Sequence, residues 1–157
     1  MSINIVKAEI ADIDRIEELS QSCFTKFCLN DIGLEYCSKS VKKKIGEMLQ
    51  SETFFVYVAK ENDLIVGFHI AISSGTLYSD TQKQLVEIAM QSDPSLSQAK
   101  QSRIILLFIQ NIERLSSELG IHITAFSICP QFDISENLIK KGYALSDKVL
   151  IKKMEVS

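Results

Sequence analysis

Two runs of apolar, β-branched and aromatic residues, separated by only three turn-forming ones, constrain this chain more than any other feature. Thr53–Lys60 and Leu64–Ile72 flank Glu61-Asn62-Asp63. Such side chains suit a pleated, half-buried surface, and so short a connection makes the pair an antiparallel hairpin. Gly67 interrupts the second run. A glycine inside a strand pattern points to a bulge or to close approach by another backbone.

Around this hairpin the periodicity changes several times. Ile3, Ile5, Ala8 and Ile10 alternate with polar residues and predict a first strand near residues 3–8. Ile13, Ile16, Leu19 and Cys23 recur at helical spacing, so a helix is expected from Ala11 to Phe24, with Asp12 and Asp14 at its positive end. Lys26–Gly33 reads as a loop. Val41, Ile45 and Met48 define a second helix over Ser38–Leu49. Beyond the hairpin, Ser73–Gln82 reads as a polar loop, Gln84–Gln91 as a strand, and Asp93-Pro94 as a break. The polar stretch Ser95–Ser102 leads into the strongest helix, whose stripe is Ile105, Phe108, Ile109, Ile112, Leu115 and Leu119, stopped by Gly120. Ile121–Ile128 looks like a buried strand. Asp133 can cap a short helix through Lys141, ended by Gly142, and Tyr143–Met154 is the last strand region. The expected order is β-α-α-β-β-β-α-β-α-β, an α/β (α+β) fold in one domain over residues 1–157, with no repeat or linker.

Composition narrows the function. At 157 residues, 46% hydrophobic and 24% charged, the chain suits one domain with a real core. Seventeen basic against 20 acidic residues leave a net charge of −3, which argues against generic nucleic-acid binding. The run Lys42-Lys43-Lys44 reads as a solvated helix face. The start lacks the pattern of a signal peptide, and the longest apolar run, Ile104–Ile109, is too short to span a bilayer, so no membrane role and a cytoplasmic location are expected. Cys23, Cys28, Cys37 and Cys129 form no C-x-x-C pair, and His69 and His122 are the only histidines. Reduced thiols and no metal site are expected.

Four local patterns then carry a resemblance. Ile65-Val66-Gly67-Phe68 sits in the second hairpin strand. Asp93-Pro94 follows the fourth strand. A long helix ends at Gly120 before a buried strand, and Lys140-Lys141-Gly142-Tyr143 closes the last helix. In order and spacing the chain resembles the GNAT superfamily of N-acetyltransferases over nearly its whole length. The resemblance implies a mixed, mostly antiparallel central sheet flanked by helices, with the fourth and fifth strands splayed at one end. It implies acetyl-CoA as acyl donor. The donor's pantetheine arm would pair with free backbone groups near Ile88, Ala89 and Met90, which would also polarise the thioester carbonyl. Its pyrophosphate would rest at the start of the long helix, where backbone N–H groups and the helix dipole attract anions.

The family's phosphate loop usually reads R/Q-x-x-G-x-G/A. Here Ser97–Ile105 contains no glycine. One frame begins at Gln98 and puts Gln101 and Arg103 at the glycine positions. Another begins at Lys100 and puts Arg103 and Ile105 there. Lys100, Gln101, Ser102 and Arg103 are the loop candidates, with Lys100 and Arg103 reaching the phosphates as cations. Many family members carry a tyrosine acid four residues before the final glycine. Leu138 stands there, while Tyr143 falls on an aromatic core position.

An ammonium group must lose a proton before it can attack. The family often places a carboxylate for this on the fourth strand. Glu87 is the candidate base and His69 the second. The acceptor implied is a primary amine on a small molecule or peptide. Phe24, Phe27, Leu29, Leu34 and Tyr36 would line its site, or serve equally as core or homodimer contact. The alternative is a catalytically inactive GNAT-like module that binds a protein or itself. A gap plugged by Gln101, Arg103 or Phe108 would favour that alternative.

Overall fold

The structure is a computed structural model that describes residues 2–26, 33–76, 79–127 and 134–144. Strand β1 (Asn4–Lys7) leads through one 3-10 turn, Ile10–Asp12, into helix α1 (Ile13–Lys26). Helix α2 spans Ser38–Leu49. Strands β2 (Phe54–Glu61), β3 (Leu64–Thr76) and β4 (Ser79–Ser92) follow. Helix α3 (Gln98–Glu118), strand β5 (Ile123–Ala125) and helix α4 (Ser135–Lys140) complete the described elements. They form a five-stranded sheet in the order β1-β2-β3-β4-β5. The first four strands are antiparallel, and β5 joins β4 in parallel. Parallel neighbours need a long crossover, which α3 provides.

Each sheet face has its own cover. On one, Ile16 and Leu19 of α1 and Ile45 of α2 pack on Val56, Val58, Phe68 and Ile70. On the other, Ile104 and Phe108 of α3 pack on Ala59, and Ile112 and Leu115 pack on Ala71 and Leu85. Gly67 explains how closely α3 sits. A Cβ there would lie 2.8 Å from the Gln91 carbonyl oxygen and 2.9 Å from Ile104 Cγ2. The close approach expected at Gly67 is present, and a register shift lies beside it: Ala59 faces Gly67 while Lys60 faces Ile65, so Val66 is the extra residue. The hairpin turn places Asn62 and Asp63 at φ 48° and 65°, the left-handed pair of a type I′ turn.

Three expectations are corrected. Ser73–Thr76 and Ser79–Gln82 are strand rather than loop. β3 runs to Thr76 and β4 starts at Ser79, with Ser73 opposite Leu85, Ser74 opposite Gln84 and Gly75 opposite Lys83. Ladder pairing satisfies this backbone, so polar side chains can stand on both faces in water. The long helix begins at Gln98, not after Ser102, so Lys100–Arg103 lie in its first two turns rather than in a loop. Strand β5 covers only Ile123–Ala125, and Ile123 is exposed rather than buried. Asp133, most of the final strand region, Phe27 and Leu29 lie outside the described residues. α4 starts from Ile134 without a side-chain cap.

Candidate functional site

The parallel ladder between β4 and β5 is short. It pairs Gln84 with Ile123, Leu85 with Thr124 and Val86 with Ala125, and there it ends. Two residues later the β4 register shifts: Ile70 faces Ala89 but Ala71 faces Glu87, leaving Ile88 as the bulged residue, 47% exposed. A bulge bends its strand and raises the local twist. From Ile88 to Ser92 the β5-facing edge of β4 has no strand partner among the described residues.

Glu87 stands one residue beyond the last ladder pair, Val86 with Ala125. It lies opposite Ala71, on the face that α3 covers. Its carboxylate accepts a 2.9 Å hydrogen bond from the Ser127 N–H, two residues beyond β5. Burial pushes the Glu87 carboxyl above its ordinary range, while the hydrogen bonds from Ser127 pull the other way. Of the neighbouring candidates, Ala89 packs with the α1 side of the core and Met90 with the α3 side. These two, with Ile88, would serve through their backbones.

The start of α3 adjoins the open end of β4. Asp93 fixes that connection. Its N–H donates to the Val66 carbonyl at 2.9 Å, and its carboxylate accepts from Ser95 N–H at 2.9 Å and from Arg15 at 2.8 Å. Burial pushes the Asp93 carboxyl up, but the Ser95 hydrogen bonds and the Arg15 guanidinium outweigh it and hold it below the usual range. Lys100 and Gln101 N–H groups both reach the Ser97 carbonyl. The N–H groups of Gln98 and Ala99, ahead of them, have no partner among the described residues. Such first-turn donors carry the positive end of the helix dipole.

The four helix candidates do not share one face. Lys100 pairs with Glu61 at the end of β2, and Arg103 is exposed. Both line an open hollow of about 470 Å³ with Ile3, Glu61, Ser97 and Ala99, on the β1 side of the helix. Gln101 is 4% exposed and donates to the Leu96 carbonyl, holding the turn before the helix. Ser102 belongs to the opposite stripe. Residues three or four apart share a helix face, so Gln98, Ser102, Ile105, Ile109 and Glu113 run down one side. Glu113 identifies that side: it accepts from Tyr143 at 3.0 Å and lies 3.7 Å from Lys141, both just past α4. Gln98 and Ser102 thus face the β5–α4 side, whereas Lys100 and Arg103 do not.

The remaining candidates sit in the core. Leu138 is buried. Tyr143 stacks on Phe126 with ring centroids 5.5 Å apart, and burial pushes its phenol up to about 12. His69 is fully buried against Phe108. Phe108 lies over Gly67 and His69, Gln101 holds the Leu96 turn, and Arg103 faces the other side, so each proposed plug is engaged elsewhere. Sequence reasoning missed Ser127, Asp93 as the pivot of the turn, and the Gln98–Ser102 stripe. The i, i+4 spacing of the last could have shown it. On the acceptor side, Phe24 packs on Tyr36 with centroids 5.2 Å apart, and the Tyr36 hydroxyl donates to buried Glu17 at 3.1 Å. Among the described residues, no helix is long and apolar enough to cross a membrane and no cluster could hold a metal ion.

No protein-family model and no curated protein sequence matches the chain. Solved structures do match it in fold. A possible acetyltransferase from Clostridium difficile 630 superposes with a TM-score of 0.72 at 13% identity, over 100% of this chain and 99% of that one. A predicted acetyltransferase from Clostridium acetobutylicum, solved with acetyl-CoA, gives 0.68 at 18% identity over 97% and 96%. The aminoglycoside N-acetyltransferase AAC(6')-Iy, in complex with CoA, gives 0.69 at 14% over 99% and 96%. The fold of this chain is that of the GNAT acetyltransferases.

Proposed function

We infer that the protein is an acyl-CoA-dependent N-acyltransferase that moves an acetyl group from acetyl-CoA to a primary amine. One observation carries the reading: the described β4–β5 ladder ends at Val86 and Ala125, and a half-buried carboxylate stands just beyond it. The pantetheine arm lies along the unpaired edge of Ile88, Ala89 and Met90. The pyrophosphate rests on the first turn of α3, held by the N–H groups of Gln98 and Ala99 and the Ser102 hydroxyl. Lys100, Gln101 and Arg103 shape that turn and its positive field.

In the reaction, an ammonium proton passes to the Glu87 carboxylate, leaving the amine lone pair free. The amine attacks the thioester carbon, while backbone N–H groups near Ile88 to Met90 steady the oxyanion. A C–N bond forms, the C–S bond breaks, and CoA leaves as a thiolate that takes its proton from solvent, since Leu138 has none to give. A raised carboxyl suits a base that must hold a proton mid-reaction. Complexes of AAC(6')-Iy with CoA and with a CoA-linked acetylneamine analogue support an aminoglycoside amine as one acceptor class.

Calorimetry with acetyl-CoA and CoA tests the reading. Micromolar binding corresponds to about −8 kcal/mol. Ser102→Glu should weaken it at least tenfold by placing a carboxylate beside the phosphates. A Lys100→Ala/Arg103→Ala double variant should weaken it less. No binding at millimolar ligand would instead leave a GNAT-shaped interaction module.

A further inference from the structure

Beyond Val86 and Ala125, a main-chain donor on the β5 side still reaches a charged side chain on β4. Ser127 has left the ladder, so its N–H needs an acceptor from elsewhere. Glu87 provides it at 2.9 Å, from the strand on the opposite side. The bulge at Ile88 sets up this reach. By adding one residue between the partners of Ala71 and Ile70, it keeps Glu87 on the α3 face with Leu85 and Met90.

We propose that the Glu87 carboxylate and the Ser127 N–H form a latch across the β4–β5 opening, which the acyl-CoA arm must undo to enter. The proposal rests on the acyl-CoA reading. In the empty protein the carboxylate occupies the donor that an amide carbonyl of the arm would otherwise take. When the arm enters, it supplies that carbonyl to Ser127, and Glu87 is freed to receive a proton. The base is thus withheld until the donor is in place, and the acyl donor binds before the amine can react.

Such a contact can be both firm and reversible. A hydrogen bond to a charged group outweighs a neutral one, and partial burial strengthens it. Burial also disfavours the carboxylate itself, so the closed form stores part of the cost of opening. Among the described residues, no ladder bond reinforces the latch beyond Ala125.

The test measures binding rather than turnover. CoA affinity would be determined by calorimetry for the wild-type protein, Glu87→Ala, Glu87→Gln and Ser127→Pro, with hydrogen exchange at the Ser127 amide followed in the first two. Glu87→Ala should bind CoA about three- to tenfold more tightly than wild type, with Ser127 exchanging fast when empty and slowly when loaded. Glu87→Gln keeps a neutral acceptor and should fall between. Ser127→Pro lacks the N–H and should bind more weakly than Glu87→Ala. Equal or weaker binding by Glu87→Ala, with wild type still binding, overturns the latch and leaves the acyl-CoA reading standing. Absence of CoA binding in every protein, each shown folded by circular dichroism, overturns both.

Discussion

His69 is the residue whose chemistry is least at ease in this fold. It is 0% exposed, and neither ring nitrogen has a hydrogen-bond partner among the described residues. Burial lowers its pKa from 6.5 to about 3, so it is neutral at physiological pH. In sequence, on the third strand, it was the second candidate base. In the structure it is sealed beneath Phe108 and cannot exchange protons with a substrate. Its effect is on stability. Below 6.5 the unfolded chain takes up a proton that the folded chain refuses, so stability is whole above 6.5 and falls as pH drops toward 3. The slope is about 1.4 kcal/mol per pH unit. Each buried unpaired nitrogen costs about 1–3 kcal/mol. His69→Leu should therefore raise stability by about 1–3 kcal/mol at pH 7, and by more at pH 5. Urea melts of both proteins at pH 7, 6 and 5 would show it. Parallel pH curves for the two would mean that His69 is not held neutral.

Helix α3 and the β3–β4 hairpin show what pattern can reveal about an element and where it stops. Helix α2 was legible to its ends, Ser38 and Leu49, because Val41, Ile45 and Met48 mark one face. The hairpin turn was legible because Asn62 and Asp63 tolerate left-handed backbone. The distal half of β3–β4 was not, because Ser73–Thr76 and Ser79–Gln82 bury little and owe their extended form to the facing strand, a fact held in pairing rather than composition. The first turns of α3 were hidden because the buried residue at their centre is Gln101, whose polar end is satisfied by the Leu96 carbonyl. At the site, Glu87 stood out as a carboxylate among apolar strand residues. Ser127 did not, since it contributes a backbone N–H that almost any residue would bring. Lys100 announced a cation, but the letter could not say that Glu61 would claim it. Gly67 was marked as a place of close approach, and the seat of α3 depends on it. Gly67→Ala would push its methyl into the Gln91 carbonyl and Ile104, lifting α3 from the sheet. A loss of about 1–3 kcal/mol is expected, the cost of overpacking a tight interior. Thermal or urea unfolding measures it, and a loss under 0.5 kcal/mol would show that helix and sheet part more readily than their contacts imply.

Across the molecule, cohesion is unequal in a way that matters for ligand binding. Strands β1 to β4 form a continuous antiparallel body clamped by α1 and α2 on one face and α3 on the other. β5 joins it through three residue pairs and is exposed at Ile123. Regions with few buried contacts open at lower free energy than the core. Among the described residues, the proposed cleft therefore lies beside the most sparsely paired strand, with β4 as one wall and β5 as the other. A ligand bridging the two walls, and bound only by the folded protein, must stabilise the fold by an amount that grows with the logarithm of its concentration. At a hundredfold excess over Kd the gain is about 2.7 kcal/mol. For a chain of this length each kcal/mol raises Tm by about 2–4 °C. Acetyl-CoA at that excess should thus raise Tm by about 5–10 °C. Hydrogen exchange should slow at Ile123–Ser127 more than in β2 or β3, whose amides are already protected by the core. ADP, which can reach the α3 first turn but carries no pantetheine arm, should raise Tm less and leave β5 exchange unchanged. Equal shifts for the two ligands would show that binding energy comes from the phosphates alone. The opening between β4 and β5 would then have no part in holding the acyl donor.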